Sequence, residues 1–108
     1  MNEYEKTLKT PCYAVIFTSQ RTENDKGYGK MADKMVESAS QQQGFLGMES
    51  ARDKELGITV SYWESLDPIK NWKENAAHQT AQQKGKEVWY QNYVVRVCKV
   101  EKAYSFKV

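Results

Sequence analysis

Two stretches of this sequence carry apolar side chains on both faces of an extended chain, and that feature restricts the fold most. Written at the two-residue period of a strand, 13–19 points Tyr13, Val15 and Phe17 one way and Ala14, Ile16 and Thr18 the other. Tyr93–Val100 has the same character, with Val94, Val95, Val97, Cys98 and Val100 leaving neither face polar. Strands of this kind have to be covered twice. A chain of 108 residues has room for one domain, so one layer of helices can cover one face, and something else must cover the other.

The rest of the chain supplies those helices. Gln20–Lys26 is a charged loop, and from Gly27 the residues Tyr28, Met31, Met35 and Ala39 fall on one helical face, opposite Lys30, Asp33, Lys34 and Glu37. Gly44 suits the left-handed conformation common just past a helix. Phe45–Arg52 and Gly57–Glu64 read as two strands joined by a charged turn. Ser65 is placed to cap a second helix, with Asp67 and Pro68 in its first turn. Leu66, Ile69, Trp72, Ala76 and Thr80 keep helical spacing; the pattern pauses near Asn75 and resumes through Ala81, Gly85, Val88 and Asn92 before the last strand. The expected boundaries are a single domain over 1–108, with a loose start at 1–12 and a tail at 101–108 that is a candidate to cross to a partner subunit.

The order strand, helix, strand, strand, helix, strand favours the split βαβ plan: an α+β, ferredoxin-like antiparallel sheet with both helices on one face. The bare face would expose more apolar surface than a monomer tolerates. The same face of a second copy is the expected cover, giving a two-fold homodimer.

Composition excludes several function classes. Sixteen basic and fourteen acidic residues give a net charge of +2 with no basic stripe, so nucleic acid is not an expected partner. The longest apolar run, Cys12–Phe17, is too short to span a membrane or form a signal-peptide core, so a cytoplasmic location with Cys12 and Cys98 as free thiols is expected. Two cysteines and one histidine do not make a four-ligand zinc site without carboxylates or a second chain. Gly27-Tyr28-Gly29-Lys30-Met31-Ala32 fits a relaxed dinucleotide-binding pattern, but a loop separates it from the preceding strand, where that motif needs a tight turn.

Gly44-Phe45-Leu46, Tyr62-Trp63-Glu64-Ser65 and Asn71-Trp72-Lys73, with His78 following, resemble the antibiotic biosynthesis monooxygenase family over residues 13–106. The resemblance implies a dimeric α+β barrel of two ferredoxin-like sheets, and a chemically mixed set of activities. Some members oxidise phenolic substrates with molecular oxygen and no metal or flavin. In that branch an Asn stands four positions before the Trp of Trp-Glu-Ser and a Tyr six after it. Here Trp63 matches the Trp, Thr59 stands at the Asn position and Ile69 at the Tyr position. Another branch degrades haem with an Asn ending the first strand, a Trp on the second helix and a His ten positions on. Trp72 matches that Trp, Gln82 stands ten positions on, His78 six, and the first strand ends in Ser19 and Gln20.

The catalytic candidates are Thr59, Trp63 and Arg96; Ser61, Tyr62, Trp72 and His78 are the pocket candidates. Thr59 and Ser61 share a strand face with Trp63, a mixed surface suited to hydrogen-bonding a substrate anion. Arg96 shares a face with Val94, Cys98 and Val100; lining an interior it would stabilise an oxyanion, and on a surface it would pair with Glu49 or Glu64. His78 points away from the Ile69–Trp72–Ala76 stripe if the helix is continuous, and a break near Asn75 voids that geometry. Trp72 reads as packing between helix and sheet, and Trp89 as packing or a lid. Three functions follow: a cofactor-independent monooxygenase acting on a small aromatic or polycyclic substrate with O2, a haem-binding or haem-degrading protein, and a non-catalytic dimeric small-molecule-binding module.

Overall fold

The computed structural model describes residues 9–108, so the expected loose start is seen only from Lys9 onward. Four strands and three helices follow in the order β1 (Cys12–Arg21), α1 (Tyr28–Ser40), β2 (Phe45–Arg52), β3 (Gly57–Trp63), α2 (Leu66–Glu74), α3 (Ala76–Lys84) and β4 (Tyr90–Val100). A π-helical turn, Gly85–Trp89, joins α3 to β4. The strands form one antiparallel sheet in the order β2-β3-β1-β4. This is the ferredoxin-like α+β plan, and the doubly apolar strands β1 and β4 lie side by side in it.

Register sorts the side chains. Residues directly opposite in an antiparallel pair share a face. Tyr13, Val15, Phe17 and Ser19 therefore lie in rows with Trp63, Ser61, Thr59 and Gly57 on β3 and with Lys99, Val97, Val95 and Tyr93 on β4. This is the helix-bearing face, since Val15 and Trp63 pack with Ala39 of α1 and with Ile69 and Trp72 of α2. The alternate set, Ala14, Ile16 and Thr18 with Tyr62, Val60 and Ile58 and with Cys98, Arg96 and Val94, lies on the helix-free face. There Ile58 is 41% and Val94 46% exposed.

Gly44 has φ 91°, and a Cβ at that position would press into the Pro68 ring at the start of α2. The chain thus leaves the α1–β2 connection left-handed, as the sequence predicts. Ser65 does occupy the N-cap of α2, yet its side chain makes no capping hydrogen bond. The pause at Asn75 is real: its ψ of 135° ends α2, and α3 begins on the next residue. The expected last strand starts three residues early, at Tyr90. Thr22 explains this, donating its amide to the Trp89 carbonyl at 2.8 Å and its hydroxyl to the Val88 carbonyl at 2.8 Å. Those bonds draw the π-turn against the end of β1. The tail at 101–108 has no regular structure, and Tyr104 and Phe106 are each 88% exposed.

Candidate functional site

On the helix-bearing face β3 presents Thr59, Ser61 and Trp63 in one row, as its alternation dictates. Trp63 is fully buried and donates its indole N–H to Ser61 Oγ at 2.9 Å. Its ring packs on Phe45 and Trp72, with centroids 5.3 Å away in both cases. Ser61 is buried with it. This pair is the closed end of the row. Thr59 is only half-buried and stands opposite Phe17, which in turn stands opposite Val95. Val95 and Val97 are 43% and 52% exposed although they sit on the helix-bearing face. The helices therefore leave the sheet open over β4. The open surface is apolar, walled by the Phe17, Tyr90 and Tyr93 rings, whose centroids lie 5.2–5.8 Å apart. The Thr59 hydroxyl stands in the row beside it. Such a surface takes a planar apolar molecule, and Thr59 offers it one hydrogen bond.

Trp72 is core, as expected, but its Nε1 is buried without a partner. His78 lies beside it. The break at Asn75 turns α3 so that the imidazole packs edge-on to the Trp72 ring, 4.2 Å between centroids. The solvated His78 of a continuous helix is thus corrected. Its Nδ1 is buried and unpaired, and burial, with Lys73 nearby, pushes the pKa below its ordinary value.

Tyr62 and Arg96 lie on the other face of the sheet, apart from Thr59, Ser61 and Trp63. Tyr62 donates its hydroxyl to Glu49 at 2.7 Å, and burial and that carboxylate push its pKa up to about 12. Arg96 stands exposed beside Ile16. Cys12 and Cys98 are free and two residues out of register across β1 and β4. Among the described residues no group of three His, Cys, Asp or Glu side chains converges as a metal site. Trp89 is packed, its Nε1 donating to the Lys26 carbonyl at 2.9 Å.

Sequence reasoning passed over the polar end of this face. Arg52 reaches across Gly57 to Ser19, and Tyr28 stands beside it with Arg21 stacked on its ring. Only the register brings these residues together, and no local spacing signals it.

The model of the family described as antibiotic biosynthesis monooxygenase matches residues 11–84, from the start of β1 to the end of α3. This chain belongs to the antibiotic biosynthesis monooxygenase family. The uncharacterized protein YqjZ of Bacillus subtilis (strain 168) is 50% identical, over 99% of this chain and 95% of its own length. Among solved structures, SnoaB, a cofactor-independent oxygenase from Streptomyces nogalater, superposes with a TM-score of 0.75 at 6% identity, covering 87% of this chain and 97% of SnoaB. Rv0793 from Mycobacterium tuberculosis superposes with a TM-score of 0.76 at 11% identity, covering 87% and 99%. Likenesses at such low identity establish the fold.

Proposed function

We propose that this chain is a cofactor-independent monooxygenase that binds a small electron-rich aromatic substrate on the open helix-bearing face. The observation that carries the reading is the exposure of Val95 and Val97 beside the Phe17, Tyr90 and Tyr93 rings, with Thr59 in the row next to them. An apolar bed with one hydroxyl favours a phenol or enol whose oxygen is held while one face of its ring lies on the apolar side chains. The substrate supplies the electrons. Its anion adds O2 at carbon, the peroxide takes a proton, and loss of water leaves a carbonyl. A CH2 and one O2 thereby become a C=O and one H2O, and no outside reductant is needed. Thr59 fills the role that the family gives to an Asn, with one donor in place of an amide's two. The working unit is proposed to be a homodimer in which a second copy covers the helix-free face.

The haem reading has less support. It needs Trp72 to face a macrocycle, and Trp72 is only 8% exposed and packed on Trp63.

Oxygen uptake with anthrone as substrate tests the proposal. Uptake is expected to be substrate-dependent and unmoved by chelators, and Thr59→Val should lower kcat/KM by about 10–100-fold. Binding of anthrone without oxygen consumption would leave the non-catalytic module in its place.

A further inference from the structure

Gly57 faces the helix side at the β3 end of the row that contains Ser19 and Tyr93. A Cβ on Gly57 would fall on the Arg52 guanidinium, so glycine is what lets Arg52 lie flat across the sheet. Arg52 Nη2 donates to Ser19 Oγ at 2.6 Å, and Ser19 is itself 1% exposed. The Arg52 Cζ is 5.7 Å from the centroid of the Tyr28 ring, and Arg21 Cζ is 3.4 Å from the same centroid.

Two guanidiniums thus lie against one ring, and only one of them is ion-paired among the described residues. Arg21 pairs with Asp25 at 2.6 Å, while its Nε is buried without a partner. Arg52 has no ion pair among the described residues. Its sequence neighbour Asp53 directs its carboxylate into the β2–β3 turn, accepting the Glu55 and Leu56 amides at 2.8 Å each. Tyr28 opens α1, whose first turn has no acidic residue and whose N-cap, Gly27, offers no side-chain acceptor. Tyr90 OH lies 3.4 Å from Tyr28 OH, so both hydroxyls sit in the same place. The surroundings of Arg52 are thus the Ser19 hydroxyl, the Tyr28 ring and a second cation, with Asp53, whose pKa Arg52 helps to lower, as the neighbouring carboxylate bound to turn amides. No carboxylate is ion-paired with Arg52 among the described residues, and Arg52 remains exposed to receive an anion.

We propose that Arg52, held by Ser19 and Tyr28, seats the anionic oxygen of an aromatic ligand, a phenolate or a carboxylate, whose ring lies on Phe17 and Tyr93. The seat deepens the small-molecule reading of this face and rests on it, but not on oxygen chemistry. Thr59 and Arg52 then lie along one face, and together they set the orientation of the bound ring.

The test is binding without turnover, by calorimetry and by the Arg Nε–H resonances, using 2-naphthoate, 4-nitrophenolate and neutral 2-methoxynaphthalene. The protein should bind 2-naphthoate or 4-nitrophenolate at least about tenfold more tightly than the neutral ether, with the Arg52 Nε–H signal shifting saturably. Arg52→Gln should abolish that preference while leaving the ether's affinity unchanged. Ser19→Ala, which frees the guanidinium without removing it, should reduce the preference, and Arg52→Lys should keep part of it. A tighter naphthoate assigns a carboxylate and a tighter nitrophenolate a phenolate. Equal affinities for anion and ether, an anion affinity unchanged by Arg52→Gln, or no anion binding at millimolar concentration would each overturn the proposal. Oxygen uptake retained with such a result would leave the oxygenase reading standing.

Discussion

A neutral imidazole resting on an indole, as His78 rests on Trp72, is stable there only while it stays uncharged. Burial is the larger cause of its lowered pKa and the Lys73 ammonium the smaller. The unfolded chain, with His78 near its ordinary 6.5, therefore binds a proton at a pH where the folded chain does not. His78 thus contributes its full share of stability above that value and loses it as pH falls from there toward the folded pKa. Urea midpoints measured between about pH 7.5 and 5.5 should fall with pH, and His78→Gln should flatten that part of the slope. An identical slope in the variant would mean that the imidazole is solvated after all.

At the scale of the elements, the two signals that bracket α2 differ in weight. Gly44 meets a positive φ and the Pro68 ring together, so Gly44→Ala is expected to cost about 1–3 kcal/mol. Ser65 has the cap position without the capping bond, so Ser65→Ala should cost less than about 0.5 kcal/mol, both read from urea unfolding. The same contrast explains what the sequence could reveal. Alternation in β1 and β3 put Thr59, Ser61 and Trp63 on one face, and the glycine after α1 marked a left-handed turn, because both depend on near neighbours. The setting of His78 depended on a single ψ at Asn75. The early start of β4 depended on Thr22, 66 residues from the Val88 carbonyl that it bonds. Arg52 and Ser19 are 33 residues apart, and a glycine that reads only as a strand end is what joins them.

For the molecule as a whole, the sheet has one face too many. Ile16, Val60, Ile58 and Val94 lie together on the helix-free face, with Ile58 and Val94 well exposed, and the described chain has no helix to lay over them. The Tyr104 and Phe106 side chains extend from the same protomer with 88% of each in solvent. A second copy stacked sheet to sheet would cover the face, and the tail is proposed to lie against that copy. In sedimentation velocity the chain should run at twice its 12.5 kDa mass. Val94→Asp places a carboxylate where an isolated protomer tolerates it but a sheet-on-sheet interface would have to desolvate it. That variant should keep its circular dichroism and shift toward the monomer by at least about tenfold in dissociation constant, since an unpaired buried charge costs well over 1.4 kcal/mol. Deleting residues 101–108 separates the two contributions: a dimer of unchanged affinity would assign the whole interface to the sheet. A parent protein that stays monomeric at about 100 µM would mean that the bare face is tolerated in water, contrary to what its apolar content predicts.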